Sequence, residues 1–446
     1  MTELPSPPAL ESIGDASLSV SAGHANRRLT FVYDLFVHAI ILTGPLVVYG
    51  VSVGGISLRF SRLLVVLSIP ILLLRLFTKP SLLLRDRFLV YGLAPYLAYT
   101  SLSIFWSLKV ETGGWVSRLG GLYEISILYV LLIVADLNTN RFRRFVHMYL
   151  VSAIIPMLVS GWQLANNLYQ FSPSELPFDQ FVIAGHYEEL EGGRYFVVAQ
   201  GFSRISATFA EPVIFSTFVC SVLLLSLLLH PKSGGGRAAL RVFQLAALII
   251  IVLGISKLSL ISLTIGLVVI VKRQKRAAPL LAAYMLVLGG IFVLLSYYGL
   301  VSVFERLLSG SGHYELLIET LRTMRHSDLI LGQGIGSVPF GSFHRFVLSR
   351  VYESGVVGLI FVGFVTAFPF QMLLQTTTSA KSREINGICV GVLFAVVFGL
   401  HAYDFFIHLW PWTVMGAMMS FYNSESALVR AARLSSQVSA PVPVPT

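Results

Sequence analysis

The chain alternates long apolar runs with short polar breaks over most of its length. An apolar run of roughly 17–25 residues can cross the hydrocarbon core of a bilayer as one helix. The pattern predicts twelve such spans, at 31–53, 60–78, 88–107, 119–136, 145–167, 209–229, 239–256, 258–272, 278–299, 351–375, 386–403 and 405–422. The expected fold class is therefore an all-α polytopic membrane protein. Pro45, Pro70, Pro95, Pro156 and Pro369 fall inside these runs, where neighbouring helices can satisfy the freed carbonyls. No internal repeat emerges.

Two longer polar stretches, about 168–208 and 300–350, interrupt the apolar pattern. The first begins acidic and turn-rich, SELPFDQFVIAGHYEELEGG. It continues as RYFVVAQGFSRISATF, whose alternation predicts a short hairpin or an extended stretch. The second opens on VFERLLSGSGHYELLIETLRTM. Leu307, Leu308, Leu316, Leu317 and Leu321 in that segment predict helices lying at the membrane interface. Residues 1–29 are rich in Ser, Pro, Ala and Gly and end in Arg27 and Arg28. They are expected to be a disordered cytoplasmic tail, being too polar for a signal peptide. Residues 423–446 end in PVPVPT and are expected to be a second disordered tail, leaving 30–422 as one transmembrane domain.

Composition strengthens the membrane reading. Of 446 residues, 55% are hydrophobic and only 12% charged, against about 25% charged in soluble globular chains. The net charge of +10 alone would suggest nucleic acid, but the cations sit in short loops between apolar runs. That is the pattern of membrane orientation, not of phosphate-backbone binding. With the N-terminus inside, 19 of the 32 Lys and Arg residues fall inside and 12 outside, and Arg75 sits near a helix end. Every short inside loop then carries at least two cations, which places both termini in the cytoplasm and both long polar stretches outside. Cys220 and Cys389 lie within apolar runs, which excludes a disulfide framework or a zinc site.

Several groups could carry chemistry. Arg204 opens RISATFAEP, just ahead of an apolar run whose first turn holds Glu211 and Pro212. An arginine there could hold a phosphate or pyrophosphate in two-point contact, or simply pair with Glu211. GQGIGS, Gly332 to Ser337, resembles a phosphate loop but lacks the preceding strand and the closing Lys-Ser/Thr. A tight backbone turn explains it as well. His344 is followed by Glu353, Gly355 and Gly358. It could serve as a general base toward a sugar hydroxyl, or be an interfacial residue. Helical spacing would put His344, Leu348 and Val351 near one face. Glu353 is expected at the start of a spanning helix, where a carboxylate favours the positive helix end. His401, Asp404 and His408 fall at i, i+3 and i+7, so one helix face could bind a metal. An aromatic interfacial belt with Tyr403, Trp410 and Trp412 accounts for them more simply. Asp34, His38 and Glu124 are ionisable groups at membrane depth and are candidates on that ground alone.

Taken together, these residues resemble the O-antigen polymerase/O-antigen ligase family of bacterial surface-polysaccharide enzymes. Its pattern H-[N]-x-x-L-x-x-L-x-E-x-G-x-x-G-L is met in register by His344, Leu348, Glu353, Gly355, Gly358 and Leu359. Its G-x-G-x-[GS] stretch is met by Gly332, Gly334, Gly336 and Ser337. Its R-x-x-[GA]-T-F-x-E-P stretch is met by Arg204, Ala207, Thr208, Phe209, Glu211 and Pro212. The topology of about twelve spans with a large outer loop before the histidine also matches. Two positions depart. Arg345 stands where the family has Asn, and His313 stands where it often has an arginine, leaving Arg306 or Arg322 to supply that charge.

The resemblance implies a GT-C-like helical fold and metal-independent glycosyl transfer, without cofactor, at the outer face of the bacterial inner membrane. The donor would be a glycan on undecaprenyl pyrophosphate. The acceptor would be a sugar hydroxyl on another lipid-linked repeat (polymerase) or on lipid A core (ligase). His344 and Glu353 would be catalytic. Arg204, Glu211, Arg306, Arg322 and Arg345 would face the pyrophosphate and glycan, because a leaving pyrophosphate needs fixed cations. The partners implied are membrane lipid and a chain-length regulator protein, with no nucleic acid. The leading expectation is a polymerase of exopolysaccharide, capsule or O-antigen. The ligase is its nearest rival, and a secondary transporter or flippase is a third reading, which repeated halves, broken helices and paired intramembrane charges would favour.

Overall fold

The computed structural model describes residues 29–47, 49–53, 56–78, 81–107, 114–165, 197–198, 202–203, 207–209, 212–254, 256–297, 322, 324, 326–335, 337, 346–375, 377, 379–402 and 408–438. Each of the twelve expected segments holds helix. The chain begins with α1 (Leu29–Thr43) and a hairpin of β1 (Gly50–Val53) with β2 (Ile56–Arg59). Next come α2 (Phe60–Leu67), α3 (Ile69–Thr78), α4 (Ser81–Arg85) and α5 (Ala94–Leu102). The longer α6 (Gly114–Val134) and α7 (Thr139–Ala165) follow. Strands β3 (Val197–Val198) and β4 (Phe202–Ser203) precede α8 (Pro212–Ser226), α9 (Gly234–Leu253), α10 (Lys257–Arg273) and α11 (Ala278–Tyr297). The last elements are the short α12 (His326–Leu331), α13 (Phe346–Leu373), α14 (Ala380–Ala402) and α15 (Leu409–Val438). Among the described residues, five stretches are long and apolar enough to cross a membrane: Phe60–Thr78, Thr139–Ala165, Gly234–Leu253, Phe346–Leu373 and Ala380–His401.

The outward faces of the helices are apolar as well as the core, unlike those of a water-soluble helix. On α7, Val151, Ile154, Ile155 and Leu158 form an exposed apolar stripe, while Ser152, Ser160 and Gln163 are buried. On α13, Val356, Leu359 and Ile360 are exposed, while Arg350 and Glu353 are buried. Apolar residues facing outward, with the polar ones kept inside an apolar core, is the arrangement that lipid solvation favours, because an unsatisfied polar group in hydrocarbon costs several kcal/mol. The core is built from close helix contacts. Gly266 of α10 and Gly391 of α14 face each other, and a Cβ on Gly391 would lie 2.7 Å from the Gly266 carbonyl. Small residues let helix backbones approach in this way.

Polar contacts sort into two ends of the bundle. At one end Asp34 pairs with Arg141, and Arg75 donates to Thr30 Oγ1 at 2.8 Å. There Asn423 donates to Asp86 at 2.8 Å, and Thr139 Oγ1 lies 3.3 Å from Glu425. Burial pushes the Asp86 carboxyl above the usual carboxylate range, and the donors Leu89 N–H, Asn423 and Tyr129 oppose it. The other end holds the Arg62–Glu124 pair (2.7 Å), the Thr208 hydroxyl donating to the Pro45 carbonyl (2.7 Å), and the Ala207 N–H donating to Gln163 (3.0 Å). Asp34 and Glu124 are thus occupied by arginines.

Several expectations are corrected. The run 31–53 stops being helical at Thr43, because Pro45 has no N–H to donate and its ring crowds the preceding turn. The Val-rich residues after it pair as strands, in register Gly50↔Arg59 to Val53↔Ile56. Before Pro95 the chain widens into a π-helical turn, Leu89–Leu93. The C-terminal tail, expected to be disordered from 423, is helical to Val438. Its ESALVRAARL is rich in good helix formers, and Glu425 is buried against Thr139. The first polar stretch does contain the expected short hairpin, with Val197↔Ser203 and Val198↔Phe202 paired. The amphipathic segment expected near 303–324 lies almost wholly outside the described residues.

Candidate functional site

A break in α13 organises the second of the two ends. Gly355 has φ 55° and ψ −136°, which ends one helical segment and begins another. Only glycine takes up that conformation readily. An unbroken helix would aim the carbonyls of Tyr352 and Glu353 at the N–H groups four residues on. Here those carbonyls accept instead from the loop Gly332–Ile335. The Gln333 N–H donates to the Tyr352 carbonyl (2.8 Å) and the Gly334 N–H to the Glu353 carbonyl (3.1 Å). The loop thus satisfies backbone groups that the break sets free, as buried irregular backbone requires.

The fit is backbone against backbone. A Cβ on Gly355 would meet the Ile330 carbonyl and lie 2.8 Å from the Gly332 nitrogen. A Cβ on Gly332 (φ 76°) would strike the Glu353 carbonyl, and one on Gly334 (φ 88°) would lie 2.8 Å from the Ser103 carbonyl. The last turn of α5 and the turn that follows it supply the other side of the seat. Tyr99 donates its hydroxyl to the Leu331 carbonyl (2.6 Å), and Ser107 donates to the Ile335 carbonyl (2.7 Å). The Ile335 N–H donates to Ser103 Oγ (3.0 Å). Ser337 closes the loop on the Gly334 carbonyl, through its N–H at 3.3 Å and its hydroxyl at 2.6 Å.

Beneath the break is a buried charge pair. Arg350 Nη1 lies 3.0 Å from Glu353 Oε2, with the two residues 4% and 1% exposed. The same nitrogen donates to the Tyr96 hydroxyl at 3.3 Å. Tyr96 in turn stacks on Phe361, ring centroids 4.0 Å apart. Glu353 is therefore the eighth residue of α13, paired within it, and no acidic residue stands in the first turn. Glu353 also stands two residues before the break at which the second helical segment begins, and the ion pair is its described contact there. Arg350, counted in the sequence with the outer-loop cations, is buried. Its spacing of three from Glu353 was the available signal, since residues three apart meet on one helix face. Tyr96 carried no such signal.

His344, Arg345, Arg204, Glu211 and Arg306 lie outside the described residues, as does Gly336. For all but Arg306, described residues stand within three positions along the chain. Ser337 and Phe346 stand on either side of the segment that carries His344. Ala207, three residues after Arg204, is buried with a positive φ of 51°, which strains a non-glycine residue. Thr208 and Phe209 beside it are buried as well. Arg322 is described and exposed. His401 lies in the last turn of α14, and α15 starts just after His408. Asp404 lies outside the described residues, and His401 Nε2 lies 2.8 Å from Thr366 Oγ1. Neither the family models nor the curated proteins searched contain a match to this chain.

Proposed function

We propose that this chain is a membrane glycosyltransferase that joins oligosaccharide repeats carried on undecaprenyl pyrophosphate into a surface polysaccharide. In this reading it has about twelve spans in the bacterial inner membrane, with both termini cytoplasmic and the break in α13 toward the periplasm. One observation carries the reading. The glycines whose spacing makes the resemblance are those the backbone geometry demands: Gly332, Gly334 and Gly355 have positive φ, and a Cβ on Gly358 would strike the Arg350 carbonyl. The stretch after Arg204 is anchored at the same end of the bundle, through Thr208 and Pro45.

The chemistry follows. An acceptor hydroxyl attacks the anomeric carbon of the lipid-linked donor, and His344 takes the hydroxyl proton. The bond from that carbon to the pyrophosphate oxygen breaks, and Arg204 with Arg306, Arg322 or Arg345 holds the departing charge. Glu353, fixed by Arg350, keeps the histidine-bearing segment on the loop. A chain-length regulator is the expected partner. The test is polymer length made by purified protein in liposomes supplied with the lipid-linked repeat. His344→Ala and Arg204→Ala should abolish long chains while the protein stays in the membrane; unchanged length refutes the assignment. Transfer only to added lipid A core would identify a ligase.

Transport of a lipid-linked glycan is a second reading, favoured by the broken helix and its buried charge pair. Gly355 stands nine residues after Phe346 and eighteen before Leu373, so the break is nearer one end of the helix than its middle. Flipping of the lipid-linked repeat without glycosyl transfer in the same liposomes would select this reading.

A further inference from the structure

The opposite end of the bundle holds a cleft that the proposed reaction does not use. It opens between the last turn of α10, the 3-10 turn Lys275–Ala277 and the first turn of α14. Its volume is about 400 Å³, and it is lined by Arg273, Gln274, Lys275, Ala380, Arg383 and Glu384. The walls are held in a fixed relation. Gln274 donates its side-chain Nε2 to the Glu384 carbonyl, and a Cβ on Gly387 would lie 2.8 Å from that nitrogen. Ser379 Oγ caps α14 by accepting from the Ser382 N–H at 3.1 Å.

Three cations line this cleft. Its one carboxylate, Glu384, lies 3.6 Å from His230. Among the described residues neither Lys275 nor Arg383 forms an ion pair. Like charges gathered in one cleft repel, and an anion between them removes that repulsion. Arginine offers two-point contact to phosphate and lysine a point charge. The cleft also borders an apolar surface. Arg273 Nη2 reaches the Leu373 carbonyl at 3.4 Å, and Phe370, Leu373 and Leu374 on that end of α13 are exposed. A soluble phosphate would use only the cations. A phospholipid would use both the cations and the apolar strip, and basic pockets between membrane helices have that selectivity.

We propose that this cleft binds the phosphate of an anionic phospholipid headgroup, with the acyl chains lying on Phe370, Leu373 and Leu374. The site is independent of the glycosyl-transfer reading. The test uses the full chain, stripped of lipid in detergent and titrated with phosphatidylglycerol, phosphatidylcholine or glycerol 1-phosphate, with bound ligand read by native mass spectrometry. Phosphatidylglycerol should bind at least about 10-fold more tightly than phosphatidylcholine, and glycerol 1-phosphate far more weakly. Each cation removed should cost about 5-fold, so R273Q/K275Q/R383Q together should cost on the order of 100-fold. Lys275→Gln alone, at an exposed position, should still cost about 5-fold if the triple variant fails to fold. Arg430→Gln, an exposed cation on α15, should change nothing. Leu374→Ser should weaken the lipid and leave glycerol 1-phosphate unaffected. Equal binding of the two lipids, no loss in Lys275→Gln, or glycerol 1-phosphate binding as tightly as the lipid would each overturn the proposal.

Discussion

Replacing Gly355 by alanine tests the loop-to-helix clasp most directly, because α13 supplies its own control. At Gly355 the backbone has φ 55°, and an added methyl group meets the Ile330 carbonyl. Holding a non-glycine residue in such a conformation costs about 1–3 kcal/mol. Relieving the clash means moving the loop, which gives up the Gln333–Tyr352 and Gly334–Glu353 bonds, worth about 1 kcal/mol each. The expected loss is therefore about 3–5 kcal/mol. Eight residues on, Gly363 lies in regular helix with nothing within 4 Å of an added Cβ. Gly363→Ala should instead stabilise by about 0.5–1 kcal/mol, since alanine costs less backbone entropy in a helix.

Thermal unfolding of the two purified variants in the same detergent, read by loss of the monodisperse species, gives opposite signs on this reasoning. If the proposed glycosyl transfer holds, Gly363→Ala should keep wild-type product length in the liposome assay and Gly355→Ala should lose long chains. If Gly355→Ala is as stable as Gly363→Ala, the loop does not seat on the break and the positive φ is wrong.

Three other perturbations have defined outcomes. Arg350→Met or Glu353→Gln alone should destabilise by about 3–5 kcal/mol, because each leaves a buried partner uncompensated. The double change to Met and Leu should recover most of that, so additive losses in denaturant titrations would show that the pair is not coupled. Ala207→Gly should shift stability by less than about 1 kcal/mol, as relieved strain offsets added chain entropy, whereas Ala207→Val should cost about 2 kcal/mol or more; equal stability of the two would refute the left-handed assignment. Asp86 has a raised folded pKa, so its contribution to stability is largest below the unfolded value of about 4 and is lost as pH rises toward the folded value. Asp86→Asn should flatten that part of the stability–pH curve, and an unchanged slope would count against burial as the cause.

Hydropathy made the helices legible, because a run long enough to cross a bilayer needs little else to declare itself. The glycine spacing from Gly332 to Gly358 was legible as a pattern, but its cause was not. Nothing local in the sequence says that Gly332 and Gly355 fit against each other's backbone, since that contact joins a loop to a helix interior. The end of α1 was signalled by Gly44 and Pro45 and was overridden by the apolar residues that follow. The burial of Arg350 was hidden for a related reason: a charge beside a polar stretch reads as exposed unless its partner is known. Glu353 was visible three residues away, but Tyr96 comes from a helix 254 positions earlier.

The seat for the Gly332–Ile335 loop also fixes an order of assembly. Tyr99, Ser103 and Ser107 precede their loop partners by 228 to 232 positions. At a synthesis rate of about 5–20 residues per second, the turn after α5 waits roughly 10–50 s for its occupant. Ser103 is provided for in the interval, because its hydroxyl donates to the Thr100 carbonyl at 2.8 Å within its own turn. The loop-bearing end of the molecule is thus completed only when α13 has entered the bundle. A nascent chain halted before Gly332 carries the seat without its occupant, however well its earlier helices have packed.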